Sequence, residues 1–188
     1  MVALLLATST AFAVVPARAL PVPGREGVSS LLWPLVPVLP ALTVPGSAAS
    51  ARRDLERTGG RSQVALRAWF VAIVTAATGL ACLAGIRFDL LIVWRNAAFM
   101  LGLTLACASV SPRGAWLPAV VVPMLMWLVG TQPGGIVEPW ALLLLPGSST
   151  TATWASGLAW AVGFLAYTSC GSGAFGMVGS RIRNARRA

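Results

Sequence analysis

Few side chains in this 188-residue chain can do chemistry, and their types narrow that chemistry at once. There is no His, all 14 basic residues are Arg, and only five residues are acidic. Without His, a serine–histidine hydrolytic centre cannot assemble. Without Lys, a G-x-x-x-x-G-K-[ST] phosphate loop is absent, so the chain does not hydrolyse ATP by that route on its own. Gly171-Ser172-Gly173-Ala174-Phe175-Gly176 matches G-x-G-x-x-G. That fingerprint needs a strand before it and a helix after it. Here an apolar run precedes it and an Arg-rich tail follows, so these glycines read as the flexible end of a last helix.

Cys82, Cys107 and Cys170 form an odd set, each inside an apolar run. They read as small packing residues, because a disulfide framework needs pairs and a zinc site needs clustered ligands. No metal, cofactor or catalytic residue is expected, and the chain does not read as an enzyme. The exception among polar residues is Arg95-Asn96, which interrupts the apolar run Leu90–Ser109. If a helix starts at Leu90, Arg95 sits about 9 Å along it. An ionisable residue at membrane depth is a functional candidate by default. The competing reading is that Arg95 snorkels to headgroups beside Trp94.

The elements that must position these residues follow from composition. Hydrophobic residues make up 57% of the chain and charged ones 10%, with a mean hydropathy of +0.80. A water-soluble surface takes roughly a quarter of the residues as charge. The chain therefore reads as all-α: a single polytopic helical bundle in a membrane, lipid being its first partner. The net charge of +9 raises the question of nucleic acid. The arginines instead gather in short polar gaps between apolar runs, as the positive-inside rule describes, and no nucleic-acid partner is expected. Abundant Ala, Gly, Pro and Arg with no Lys fits a GC-rich bacterial genome of the actinobacterial kind.

Six spans are expected, at about 2–20, 28–46, 68–85, 90–109, 115–130 and 153–170. The first is short over Val2–Val15, and Ala17-Arg18-Ala19 resembles a cleavage site. A retained helix is the preferred reading, with a signal peptide or a truncated start as alternatives. The second carries Pro34, Pro37, Pro40 and Pro45 and should be bent or re-entrant. Ala68–Gly85 is uncharged over about 27 Å at helical rise. Ala81 with Gly85, and Gly102 with Ala106, are small residues four apart that allow close helix approach. Trp116 and Trp127 flank the fifth span, and Pro118 and Pro123 should bend it. Trp140–Pro146 (WALLLLP) is too short to cross a bilayer. It should dip in and return, or lie flat on the outer surface, with Trp140 at the interface. Asp89 and Glu138 fall in outer loops, leaving no acid inside a span for proton coupling.

Ala51–Arg67 anchors the orientation. With Arg52, Arg53, Arg57, Arg61 and Arg67 on the cytoplasmic side, Arg113 and tail residues Arg181, Arg183, Arg186 and Arg187 fall there too. Arg18, Arg25, Arg87 and Arg95 are left outside. Ten against four is a positive-inside bias, and it puts both termini inside a multi-pass protein of the cell membrane.

That layout resembles the membrane subunits of type-2 ABC exporters, permeases that work with a separate ATPase. Asp54-Leu55-Glu56-Arg57-Thr58-Gly59-Gly60-Arg61 resembles the E-R-x-x-G-T-type loop of that family. The resemblance implies that Asp54, Leu55, Glu56 and Arg57 dock an ATPase. It also implies that Trp140, Leu142, Leu143, Leu144 and Leu145 belong to an outer gate, within a homo- or hetero-oligomer. The chain is shorter than most such permeases, and Arg95-Asn96 has no counterpart in their pattern. It also resembles uncharacterised actinobacterial multi-pass membrane proteins across Leu39–Arg67 and around Arg95-Asn96. The alternative reading is a structural or accessory membrane protein, an assembly or immunity factor without a transport path.

Overall fold

The computed structural model describes residues 2–15, 19–42, 63–85, 88–111 and 113–170. The docking residues Asp54, Leu55, Glu56 and Arg57, together with Arg18, Arg87, the Gly171–Gly176 motif and the tail arginines, lie outside them. The helices among the described residues are α1 (Val2–Val14), α2 (Val38–Leu42), α3 (Gln63–Cys82), α4 (Leu90–Val110), α5 (Leu117–Val129) and α6 (Thr150–Cys170). Short 3-10 turns occupy Trp33–Leu35 and Leu83–Gly85. Strand among the described residues amounts to β1 (Leu20–Pro21) and β2 (Ser29–Ser30), an antiparallel pair in register Leu20 to Ser30. The architecture is helical, as composition demands.

Among the described residues, two helices are long and apolar enough to cross a membrane: Val64–Cys82 of α3 and Leu90–Val110 of α4. Their presence supports a membrane location. Helix α6 matches them in length, about 31 Å at 1.5 Å per residue, but Thr150, Thr151, Thr153, Ser156, Thr168 and Ser169 dilute its apolarity. Helix α5 has 13 residues, about 20 Å, against a hydrocarbon core of roughly 30 Å. Pro118 sits in its first turn, where a missing N–H costs nothing. Pro123 lies inside it and Gly130 ends it.

The proline-rich second segment departs furthest from expectation. Instead of one bent helix over 28–46, the described part holds β2, the Trp33–Leu35 turn and the five-residue α2. Pro34 and Pro37 supply no N–H, so the helical hydrogen-bond ladder cannot run through them. The pieces pack inward all the same, with Trp33, Val36, Pro37 and Ala41 buried.

Helix α4 is the axis of the fold, contacting α2, α3, α5 and α6. Its sequence window is 61% buried, against 28% for α3. Helices α4 and α6 run parallel and touch backbone to backbone. A Cβ on Gly102 would overlap the carbonyl of Ala159, and one on Gly163 would overlap the carbonyl of Gly102. Of the two small pairs seen in the sequence, Gly102 thus marks a real close approach. Gly85 instead receives the ring of Phe12 from α1. Helix α3 runs antiparallel to α4: Gly79 lies against Trp94, while Val71 shares a buried cluster with Leu105, Ala108 and Tyr167.

The bundle therefore has two distinguishable ends. At one, Asp89 caps α4, Phe88 stacks on Trp33 at 5.0 Å between ring centroids, and Phe12 is buried beside them. At the other, Arg67 reaches the carbonyls of Thr168 and Ser169 at 3.5 Å, helping to satisfy the end of α6. Cys82 is fully buried and Cys107 half-buried, both as free thiols in packed surroundings.

Candidate functional site

Arg95 and Asn96 lie on α4, one and a half turns into the helix, and both are buried, with 5% and 1% of their surface exposed. The helix is started by the Asp89 carboxylate, which accepts from the N–H groups of Leu91 at 3.0 Å and Ile92 at 3.3 Å. Capping fixes the first turn and with it the direction in which residues 95 and 96 project. They project inward, and the snorkelling expectation for Arg95 does not hold. Trp94, one residue earlier, is half exposed on the opposite side of the turn.

What Arg95 meets is the Trp140–Pro146 segment. Its Nη1 donates to the carbonyl of Pro146 at 2.9 Å, and its Nη2 donates to Leu145 at 2.7 Å and Leu142 at 3.1 Å. Nε donates to Oδ1 of Asn96 at 3.2 Å. Four of the five guanidinium N–H groups are thus engaged, all with amide oxygens. The Asn96 amide extends the pattern: Nδ2 donates to Leu143 at 2.7 Å and to Pro34 at 2.8 Å. Two adjacent side chains on one helix hold main-chain oxygens from two irregular segments.

The physical reason lies in the segment itself. Residues 140–146 form successive turns rather than a helix or strand. Internal bonds run from Ala141 N–H to Glu138 and from Leu144 N–H to Ala141, and the Ser149 N–H donates to Pro146, which leaves the carbonyls of residues 142, 143 and 145 in need of donors and that of Pro146 with room for a second. Away from water each unmet carbonyl would be costly, and non-helical backbone at membrane depth survives only where protein satisfies it. Arg95 and Asn96 supply those donors. In return the carbonyl dipoles stabilise a guanidinium that would otherwise cost about 2.5–3.5 kcal/mol to bury in a membrane.

The segment's side chains point the other way, into the core. Ala141, Leu143 and Leu144 are buried in a cluster with Ala41, Phe99, Met100, Ala119 and Met126. Leu142 and Leu145 are partly buried, while Trp140 remains 48% exposed. The segment folds back against α4 with Ala141, Leu143 and Leu144 turned inward. Close packing holds both flanks. A Cβ at Gly130 would come 2.5 Å from that of Ala141, and one at Gly147 would come 2.5 Å from the Asp89 carboxylate. Gly134 and Gly135 adopt φ of 89° and 81°, which lets the chain reverse between Thr131 and Val137. Gln132 donates to Glu138 in the same reversal.

Beside the segment lies a cavity of about 270 Å³, lined among others by Ser29, Ser30, Leu31, Thr131, Val137 and Leu144. Thr131 donates to the Ser30 hydroxyl at 3.2 Å across it. Arg25 reaches the carbonyl of Leu128 at 3.0 Å, tying the β1–β2 turn to the end of α5. Among the described residues no group of three or more His, Cys, Asp or Glu gathers to hold a metal ion.

The structure thus brings together two sets of residues that the sequence singled out separately, Arg95-Asn96 and Trp140–Leu145. Sequence reasoning missed Pro34, Asp89 and Gly147. Pro34 and Gly147 take part through backbone, which leaves no side-chain signal. Asp89 was visible as a potential cap one residue before an apolar run. Compared with known proteins, the chain matches no family model, no curated sequence and no solved structure.

Proposed function

We propose that this chain is a multi-pass protein of the cell membrane that acts as the permease-like subunit of an exporter driven by a separate ATPase. In this reading the Asp89 end of the bundle faces outward and Trp140–Pro146 is the outer gate. The observation that carries it is the latch of Arg95 and Asn96 on carbonyls of Leu142, Leu143, Leu145 and Pro146. A gate needs an apolar plug that excludes water and a polar attachment that can be exchanged for another. Leu143 and Leu144 form the plug, and the guanidinium, with alternative carbonyls nearby, supports re-attachment after a shift. The cavity beside Leu144 would then be the outer vestibule. Energy would enter from the cytoplasmic side, through a partner docked on Asp54, Leu55, Glu56 and Arg57.

A second reading has its own support. The same hydrogen bonds, with Pro34 included, suit a segment fixed in place, as in an accessory membrane protein with no transport path. Purification of the tagged chain from its native membranes separates the two. The permease reading expects an ATP-binding subunit to accompany it and to be lost with Glu56→Arg. If no such subunit comes with it, and Glu56→Arg leaves the cellular phenotype intact, the accessory reading stands.

A further inference from the structure

The β1–β2 pair has two outer edges, and they are finished differently. The Val22 N–H donates to the carbonyl of Val28 at 2.9 Å, Pro21 lies opposite Ser29, and Leu20 lies opposite Ser30. In an antiparallel pair, facing residues alternate between bonding each other and turning their main chain away. Ser29, and Leu31 two residues on, therefore present their N–H and C=O on the side of β2 away from β1. Neither has a main-chain hydrogen bond among the described residues. On the edge of β1 the corresponding residue is Pro21, which has no N–H to offer. Proline is a common means of blunting an edge against further strands. The edge of β2 carries no proline and no charge. It borders the cavity of about 270 Å³, whose lining includes both Ser29, which is exposed, and Leu31, which is half-buried. Thr131 and Val137 form another wall. Their own pairing is carried by neighbours, Gln132 N–H to Ile136 and Glu138 N–H to Gly130. The main chain of half-buried Val137 thus also points out of its pair, and it has no hydrogen bond among the described residues.

We propose that this cavity binds a short peptide in extended form, laid along β2 as an added strand. The open groups of Ser29 and Leu31 stand two residues apart, about 7 Å at strand rise. An extended peptide offers its own N–H and C=O at that same repeat along one edge, which is how strand addition gains affinity from main chain alone. The side chains around the slot select the occupant further. Leu31, Val137 and Leu144 are apolar, Ser30 and Thr131 are already bonded to each other, and no charged residue lines the space. That suits a neutral peptide with small or β-branched side chains. The volume lies just below the roughly 300–1,000 Å³ of ordinary ligand pockets, so a few residues fill it. Binding rests on the β2 edge and needs no transport activity. Joined to the permease reading, it makes the cargo a short peptide.

The probe is a blocked, uncharged tetrapeptide of alternating serine and valine, labelled with carbon-13 at its main-chain carbonyls. It is titrated into the full chain in lipid nanodiscs, and the labelled carbonyl band is followed by infrared spectroscopy. The band should move to the position of a paired strand and saturate, with no such change on empty nanodiscs. The same peptide N-methylated at every residue keeps its side chains, loses its donors, and should fail to displace the probe. Ser29→Pro removes one N–H from the open edge and none from the β1–β2 pairing, and should raise the Kd roughly three- to tenfold. Ser29→Ala keeps that N–H and should bind as the parent does. A slot filled by solvent alone would give no saturable shift and would overturn the proposal. Displacement by the N-methylated peptide would overturn it too, as would equal Kd values for the proline and alanine variants. The two peptides compared on the unaltered chain decide the matter even where the proline variant does not fold. Co-purification of an ATP-binding subunit is read without any peptide, so failure of the permease reading is recognised separately.

Discussion

The two halves of α4 solve opposite packing problems. From Asp89 to Asn96 the helix faces irregular chain and meets it with charged and amide side chains. At Gly102 it faces another regular helix and meets it backbone to backbone, with no side chain between. A regular helix has already satisfied its own main chain, so only van der Waals contact is left to gain, and glycine maximises it. An irregular segment has not, so its partner must bring donors. Residue type along one helix thus follows the hydrogen-bonding state of what it touches.

The largest way to break this division is to remove the donor. Arg95→Met keeps length and apolar bulk but leaves the carbonyls of Leu142 and Leu145 without their partner and that of Pro146 with the Ser149 N–H alone. A loss of about 4 kcal/mol is expected, the range for stripping one side of a buried charged contact. Unfolding in mixed detergent micelles would read it as a large fall in the transition midpoint. Arg95→Lys should recover only part of it, because an ammonium lacks the planar fork that reaches three carbonyls at once. Equal stability of the Met variant and the parent would show that the latch contributes nothing.

The glycine half breaks next. Gly163→Val would drive methyl groups into the carbonyl of Gly102, which is backbone of a packed helix and cannot swing aside. About 3 kcal/mol is expected, the upper part of the range for overpacking, with α4 and α6 forced apart. Cysteine pairs placed across α4 and α6 should cross-link less efficiently in this variant. Unchanged cross-linking would mean that the seam tolerates a side chain.

These two halves were not equally legible. The extent of α4 follows from its apolar run, which only Arg95-Asn96 breaks: 90–109 was expected and Leu90–Val110 is observed, whereas α3 begins at Gln63, five residues before the expected 68. Gly102 could be read as a contact point because a small residue inside such a run has few other uses. Arg95 could be flagged for the same reason, as a charge where none belongs. Its partners could not. They are main-chain oxygens about 50 positions away, and every residue has one, so no pattern of side chains announces them. The proline-rich stretch misled in another way. Its hydropathy matches a span, but Pro34 and Pro37 break the helix into pieces that bury the same apolar side chains without regular structure. Helix α6 begins at Thr150, earlier than the expected 153, because Ser149 accepts from the N–H of Ala152 at 3.3 Å and caps it.

A smaller effect sharpens what Asp89 does for the polar half. Its carboxylate caps α4 and also touches Gly147 at the exit of the segment. Asp89→Ala should cost about 1 kcal/mol if capping is the whole role. Asp89→Asn separates the two duties, since Asn caps as well as Asp while carrying no charge. A neutral Asn variant would assign the residue to the cap. A loss equal to that of Ala would show that the negative charge near Arg95 is what matters, and would bring Asp89 into the latch.

The smallest expected effect has the opposite sign. Gly157 lies on α6 only six residues before Gly163, yet nothing lies within 4 Å of where its Cβ would stand. There the glycine serves no close approach, and it carries the backbone entropy cost of an unneeded freedom. Gly157→Ala should therefore raise stability by about 0.5–1 kcal/mol. The pair tests whether glycine on this helix is a property of the seam or of the helix as a whole. Stabilisation at 157 with destabilisation at 163 would confine the close approach to the face that meets α4. A loss at 157 would point to a second helix, from another copy or another chain, resting on a face that a lone chain leaves open.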